Sequence, residues 1–130
     1  MSTATTAAAA AAGFGLPRAT LALPAGPLEL HLAHRLLPRL RGLLGRRPLR
    51  RGEGLSLAPC NSVHTFGMRY PIDVLFLDRA DRIVAIRPAL PPWRLALCGS
   101  AWRVVELPAG DAARLGLERG QQLPPVTETP

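Results

Sequence analysis

Proline and glycine cut this sequence into short apolar runs, and that punctuation decides what the chain can become. Fourteen prolines and twelve glycines are spread through 130 residues. Proline lacks a backbone donor and fixes φ, so it ends or displaces regular elements. The runs left between these breaks are strand-sized. Leu28, Leu30 and Leu32 alternate with Glu29 and His31, the period-two pattern of a half-buried strand. Ile72–Leu77 is nearly continuous in apolar character, and the charged cluster Asp78–Asp81 joins it to Ile83–Ile86 as a hairpin. Trp93–Cys98 and Trp102–Leu107 flank Gly99–Ser100 at hairpin spacing.

Two segments break the strand pattern. Leu36, Leu37, Leu40, Leu43 and Leu44 recur three and four apart, with Arg35, Arg39, Arg41 and Arg46 on the other side, so a helix is expected from near Leu37 to a stop at Gly45. Pro108 opens a second short helix over Ala109–Leu115, closed by Gly116. About seven short strands and two short helices result. Because the strands follow one another by tight connections, without the crossovers that parallel pairs need, the expected fold is mostly β (α+β): a small antiparallel β-barrel or sandwich.

The length suits one domain with tails. Residues 1–19 read as a disordered, alanine-rich tail, residues 20–123 as the domain, and residues 124–130 as a loose C-terminal tail. No apolar run approaches the ~20 residues that span a bilayer. The first dozen residues lack a basic region and a leucine-rich stretch, so no signal peptide is expected in them. Cys60 and Cys98 lie far apart in sequence with no Cys-x-x-Cys spacing and are read as reduced thiols. The compartment implied is the cytoplasm.

The net charge of +7 raises the question of nucleic acid. All sixteen basic residues are arginine, a compositional bias, and seven of them fall between Arg35 and Arg51. No aromatic residues interleave with that run and no nucleic-acid motif is present, so nucleic acid is not the expected partner. The run reads as a solvated helix face and loop, or as a contact surface for a protein partner.

The segment Cys60-Asn-Ser-Val-His-Thr-Phe-Gly-Met-Arg-Tyr-Pro-Ile-Asp73, running into Val-Leu-Phe-Leu-Asp78, resembles the domain-of-unknown-function family 192. So do Val105-Glu-Leu-Pro-Ala-Gly110, followed by Leu115-Gly-Leu-Glu-Arg-Gly120, and the upstream Arg41-Gly-Leu-Leu-Gly-Arg46. The order of the blocks over Leu28–Leu123 makes the resemblance specific. It implies a compact, mostly β domain of prokaryotes, hence a bacterial protein. The family has no established activity, so the resemblance assigns no site residue. Many members are similar to Trp-Met-Lys-Asn-Thr where this chain has Phe66-Gly-Met-Arg-Tyr70, and this chain carries a Cys60-x-x-x-His64 variant.

Candidate ligand-binding residues are Cys60, His64, Met68, Arg69, Asp73 and Glu106. A thiolate beside an imidazole can be a nucleophile, or the pair can bind zinc. In an extended strand, however, residues four apart are ~13 Å apart, so the pair meets only if Cys60-Asn-Ser curls back. His31, His34, Asp73 or Cys98 would have to converge on it to complete a metal site, and no metal or other cofactor is assigned. Asp73 and Glu106 sit in apolar strands, where a carboxylate is either a perturbed acid or a partner of backbone N–H groups, with Arg69 as a candidate ion-pair partner. Three functions stand in this order: a small binding module with a polar pocket around Cys60–Asp73, taking a small molecule or anionic group; a protein-interaction domain using Arg35–Arg51; and a Cys/His-dependent enzyme or metal-binding protein.

Overall fold

The structure, a computed structural model, describes residues 14–128. Two faces of one seven-stranded sheet organise it. Along the chain run β1 (Arg18–Leu23), β2 (Gly26–Ala33), α1 (Leu36–Arg41), β3 (Glu53–Leu57), β4 (Ser62–His64), β5 (Ile72–Leu77), β6 (Ile83–Leu90), β7 (Leu95–Leu97), β8 (Arg103–Pro108), α2 (Asp111–Arg114) and β9 (Thr127–Glu128). The sheet order is β6-β5-β8-β3-β2-β1-β9, and β4 pairs with β7 in a separate two-stranded ribbon.

The fold is mostly β, as the punctuation implies, but three parts of the expectation are corrected. The sheet is mixed: β2 and β3 run parallel, with Glu29 opposite Glu53 and Ala33 opposite Leu57. The chain between them, carrying α1, is a crossover of the kind parallel pairing demands. Second, the sheet does not close into a barrel. Its ends are spanned by the C-terminal segment, which bridges Arg82 to Gln122 on one side and pairs β9 with β1 on the other. Third, among the described residues helix is confined to six residues and a single four-residue turn, short of the two helices expected. Gly42, at φ 56°, turns the chain out of the first one before the leucine stripe is complete. The side chains of Leu36, Leu37 and Leu40 lie outside the described residues.

The β5–β6 hairpin forms where expected. Trp93–Cys98 and Trp102–Leu107 do not make one: β7 pairs with β4, whereas β8 lies between β5 and β3. Of the predicted tails, residues 1–13 and 129–130 lie outside the described set, and the rest belongs to the fold. Phe14 stacks on the buried His31 ring at 4.4 Å, with the Arg46 and Arg47 guanidinium groups 5.3 and 4.9 Å from its centroid, and Thr127–Glu128 extends the sheet.

One apolar cluster joins Leu28, Leu30, Leu75, Leu77, Val105 and Leu107 to the α2 region. The other joins Leu55, Leu57, Ile72, Val74, Phe76 and Val104 to Leu43, Val63 and Met68 from the crossover and the ribbon. β5 is consequently buried at all six positions.

Asp73 is the polar clamp of this core. It is almost wholly buried, and its Oδ1 accepts the Ala89 N–H at 2.8 Å. Its Oδ2 accepts the N–H groups of Gly110 at 3.0 Å and Ala112 at 2.9 Å. One carboxylate thus ties β5 to the bulged end of β6 and to the start of α2, a stronger form of the turn-fixing role the sequence suggested. Asp73→Ala orphans three backbone donors and is expected to destabilise the fold by about 3 kcal/mol or more in urea unfolding. Asp73→Asn is expected to fall between that variant and the parent, because one side of the amide can accept and the other cannot.

Candidate functional site

Strand alternation decides where Glu106 goes. In β8, Val105 and Leu107 face the first apolar cluster and Val104 faces the second, so Glu106 points with Val104. Its cross-strand neighbours are Leu55 on β3 and Val74 on β5, both fully buried. The β2–β3 crossover then carries the end of α1 across it. A Cβ built on Gly42 would stand 3.6 Å from Glu106 Oε1, so this glycine lies directly over the carboxyl.

The carboxyl is left with no protein partner on one oxygen: Oε2 is buried and accepts no hydrogen bond. Burial alone raises its pKa from an ordinary 4.5 to about 8. At neutral pH Glu106 is therefore a carboxylic acid with a proton to donate.

Above it opens a cavity of about 60 Å³, lined by Arg39, Arg41, Cys60, Ser62, His64 and Met68 among others. That is room for a polar group of about two water molecules' volume. Three elements supply the walls: α1 and its Gly42 turn, the Pro59–Ser62 bend after β3, and β4. The Arg39 guanidinium reaches Ala58 O at a long 3.4 Å, which leaves most of its donors free. The Arg41 guanidinium is committed to Leu44 O and Gly45 O, closing the end of the crossover turn.

Four of the six sequence candidates, Cys60, His64, Met68 and Glu106, meet at this cavity. Cys60 and His64 share its wall without forming a catalytic pair. The Cys60 thiol donates to Ser62 O at 3.0 Å, and burial pushes its pKa up. His64 is exposed, stacks on Phe66 at 5.1 Å, and accepts the Phe66 N–H at Nδ1. A thiol held protonated, with no base beside it, is not an activated nucleophile. The residues needed for a metal site go elsewhere: His31 bonds Glu53 and His34 bonds Ser56. Among the described residues no three His, Cys, Asp or Glu side chains cluster as metal ligands would. Asp73 is consumed by backbone donors, and Arg69 lies on a neighbouring groove of about 520 Å³ with Leu43, Met68 and Tyr70. No ion pair joins Arg69 to Asp73 or Glu106 among the described residues.

Within the arginine run, Arg46 and Arg47 serve the fold. Arg46 donates to Gly42 O and Phe14 O, and Arg47 grips Glu53 with both guanidinium nitrogens. That grip, with the His31 contact, holds the Glu53 carboxyl down at about 2 despite its partial burial. What sequence reading missed is Arg39 and Ser62 as cavity walls. It also missed the aromatic ledge beside them, where Phe66 stacks on Trp93 at 6.2 Å. The crossover that assembles these walls was the missing signal.

The chain belongs to the domain-of-unknown-function family 192 (DUF192), described as an uncharacterized ACR, whose model matches residues 20–124. No curated protein matches it. Two solved structures share the fold. A protein of unknown function from Novosphingobium aromaticivorans is 23% identical, with a TM-score of 0.69 over 82% of this chain and 83% of that one. A protein from Sinorhizobium meliloti, described as a proposed transcription regulator, is 24% identical, with a TM-score of 0.71 over 83% and 92%. At these identities the likeness concerns the fold alone.

The state of Glu106 has a thermodynamic signature. The unfolded chain ionises it near its ordinary 4.5 and the folded chain at about 8. Between those values the folded chain holds a proton that the unfolded chain has released, so stability falls as pH rises through this window and levels off above it. The loss is on the order of 5 kcal/mol. Glu106→Gln is expected to flatten the slope and to be the more stable protein at about pH 9, read from urea midpoints across the range.

Proposed function

We propose that this domain is a non-catalytic binding module whose Glu106 cavity receives the acidic group of a small ligand. The observation that carries the reading is the Glu106 carboxyl, which lines the cavity and leaves its buried Oε2 without a partner. A buried polar atom without a partner costs about 1–3 kcal/mol, so a ligand that satisfies it recovers that energy on binding. A neutral acid in an apolar setting donates a hydrogen bond, and an oxyanion is its best acceptor. The other walls agree: Arg39 supplies cationic donors, Ser62 a hydroxyl, and Glu106 is the one carboxyl lining the cavity. A cationic ligand would have to pass Arg39 and Arg41 to reach the acid.

Both cysteines are free, which supports a reducing, cytoplasmic setting for the module. Among the described residues no helix is long and apolar enough to cross a membrane.

Acetate is the direct probe, because it is a carboxylate small enough for the cavity. In an amide NMR titration it is expected to produce saturable shifts at Gly42, Leu57 and Ser62, with an affinity on the order of millimolar. The affinity should weaken as pH rises above about 8 and Glu106 ionises. Glu106→Leu, which keeps the volume and removes the donor, and Arg39→Ala should each abolish saturation while leaving the fold intact. Stronger shifts from ammonium chloride than from sodium acetate would contradict the proposal.

A further inference from the structure

The outer face of the β4–β7 ribbon is apolar and open to solvent. Its register sets His64 opposite Leu95 and Ser62 opposite Leu97, so these four side chains share one face while Val63 and Ala96 pack inward. Leu95 is 55% exposed, Leu97 67% and Trp93 65%. Trp93 stacks on Phe66, which stacks on His64, so the apolar surface is continuous.

The indole is held in water deliberately. Trp93 has φ 63°, a left-handed conformation that a bulky residue avoids. The fully buried Thr65 enforces it: its carbonyl accepts the Trp93 N–H at 3.0 Å and its hydroxyl oxygen accepts the Arg94 N–H at 2.9 Å. The same hydroxyl donates to Pro91 O at 2.6 Å. Strain maintained in this way gathers at functional surfaces.

The ribbon also offers backbone. The bonds Thr65 N–H to Arg94 O and Cys98 N–H to Asn61 O fix the alternation of the antiparallel ladder. Leu95 and Leu97 therefore fall at its non-hydrogen-bonded pairs, with N–H and C=O turned to the outer edge of β7. Among the described residues no strand lies on that edge. Charge completes the description. The ribbon strands with the loops beside them, residues 59–71 and 91–102, contain no Asp or Glu, whereas Arg69 and Arg94 fall within them.

The geometry points to β7 as a docking edge for an extended, acidic segment of a partner protein, which adds as a strand with apolar side chains on Leu95, Leu97 and Trp93 and carboxylates toward Arg94. Strand addition draws affinity from main-chain bonds and selectivity from the side chains facing the flanking surface. A second copy of this chain suits the edge less well, since each copy carries +7. An anionic bilayer matches the charge but leaves the free strand edge unused. This surface borders the Glu106 cavity and shares Ser62, His64 and Phe66 with its wall, but strand addition uses neither Glu106 nor Arg39, so a Glu106→Leu variant separates the two proposals.

The test uses three short synthetic peptides: glutamate alternating with leucine, lysine alternating with leucine, and glutamate alternating with serine. The glutamate–leucine peptide should protect the Leu95 and Leu97 amides from hydrogen exchange. It should also shift tryptophan emission in the parent protein but not in Trp93→Ala, which retains Trp102. The other two peptides should bind roughly tenfold more weakly or worse. The double variant Leu95→Asp with Leu97→Asp should lose the peptide and keep the acetate response of the cavity. Equal binding of the lysine peptide, or no protection at about 1 mM glutamate–leucine peptide, would overturn the inference. So would a dimer in sedimentation that the double variant abolishes, or tighter binding to phosphatidylglycerol vesicles than to the peptide.

Discussion

Burial of the central strands on both faces is the constraint from which the rest follows. β5 and β8 sit mid-sheet with an apolar cluster on either side. A polar side chain on either strand must find internal partners or remain desolvated. Asp73 finds three backbone donors and becomes part of the framework. Glu106, on the adjacent strand, finds none for Oε2. Two carboxylates of similar sequence setting thus have opposite fates, decided by which backbone ends reach them. The unsatisfied one lies under the end of α1, where a cavity opens above it.

That crossover is where architecture becomes chemistry. Parallel pairing of β2 with β3 forces the chain across one face of the sheet, and the segment that makes the journey carries seven arginines and no carboxylate. Arg46 and Arg47 fasten it to Phe14 and Glu53. With its far end anchored, the α1 turn and Arg39 are fixed beside the Glu106 carboxyl. The ribbon of β4 and β7 forms the opposite wall and turns its own outer face to solvent. The cationic side of the domain therefore holds a neutral acid in a recess and an apolar ledge beside it.

Much of this was legible in the sequence, for local reasons. Period-two alternation and proline breaks identified the strand segments, and the run Ile72–Leu77 matched β5 to the residue. The Cys60–Asp73 segment and Glu106 were marked as chemically unusual, and four of those six residues do meet at one cavity. The parallel β2–β3 pair was not legible, because α1 is six residues long and ends at Gly42, too short for its leucine periodicity to announce a crossover. Trp93 and Trp102 looked like the two flanks of one hairpin, whereas the strands beside them pair with different neighbours. Tail assignments from composition also ran past Phe14 and Thr127, whose contacts lie far away in the chain. In each case the deciding contact joined residues distant in sequence.

Everything in this site turns on Glu106 being a protonated acid at neutral pH, open to an acceptor in its cavity. The most direct measurement is the carbon-13 shift of the Glu106 side-chain carboxyl, followed through a pH titration with and without acetate. A protonated Glu106 gives a single transition at about 8 in the free protein, moving higher when acetate is bound. A transition near the ordinary 4.5, unmoved by acetate, would contradict it.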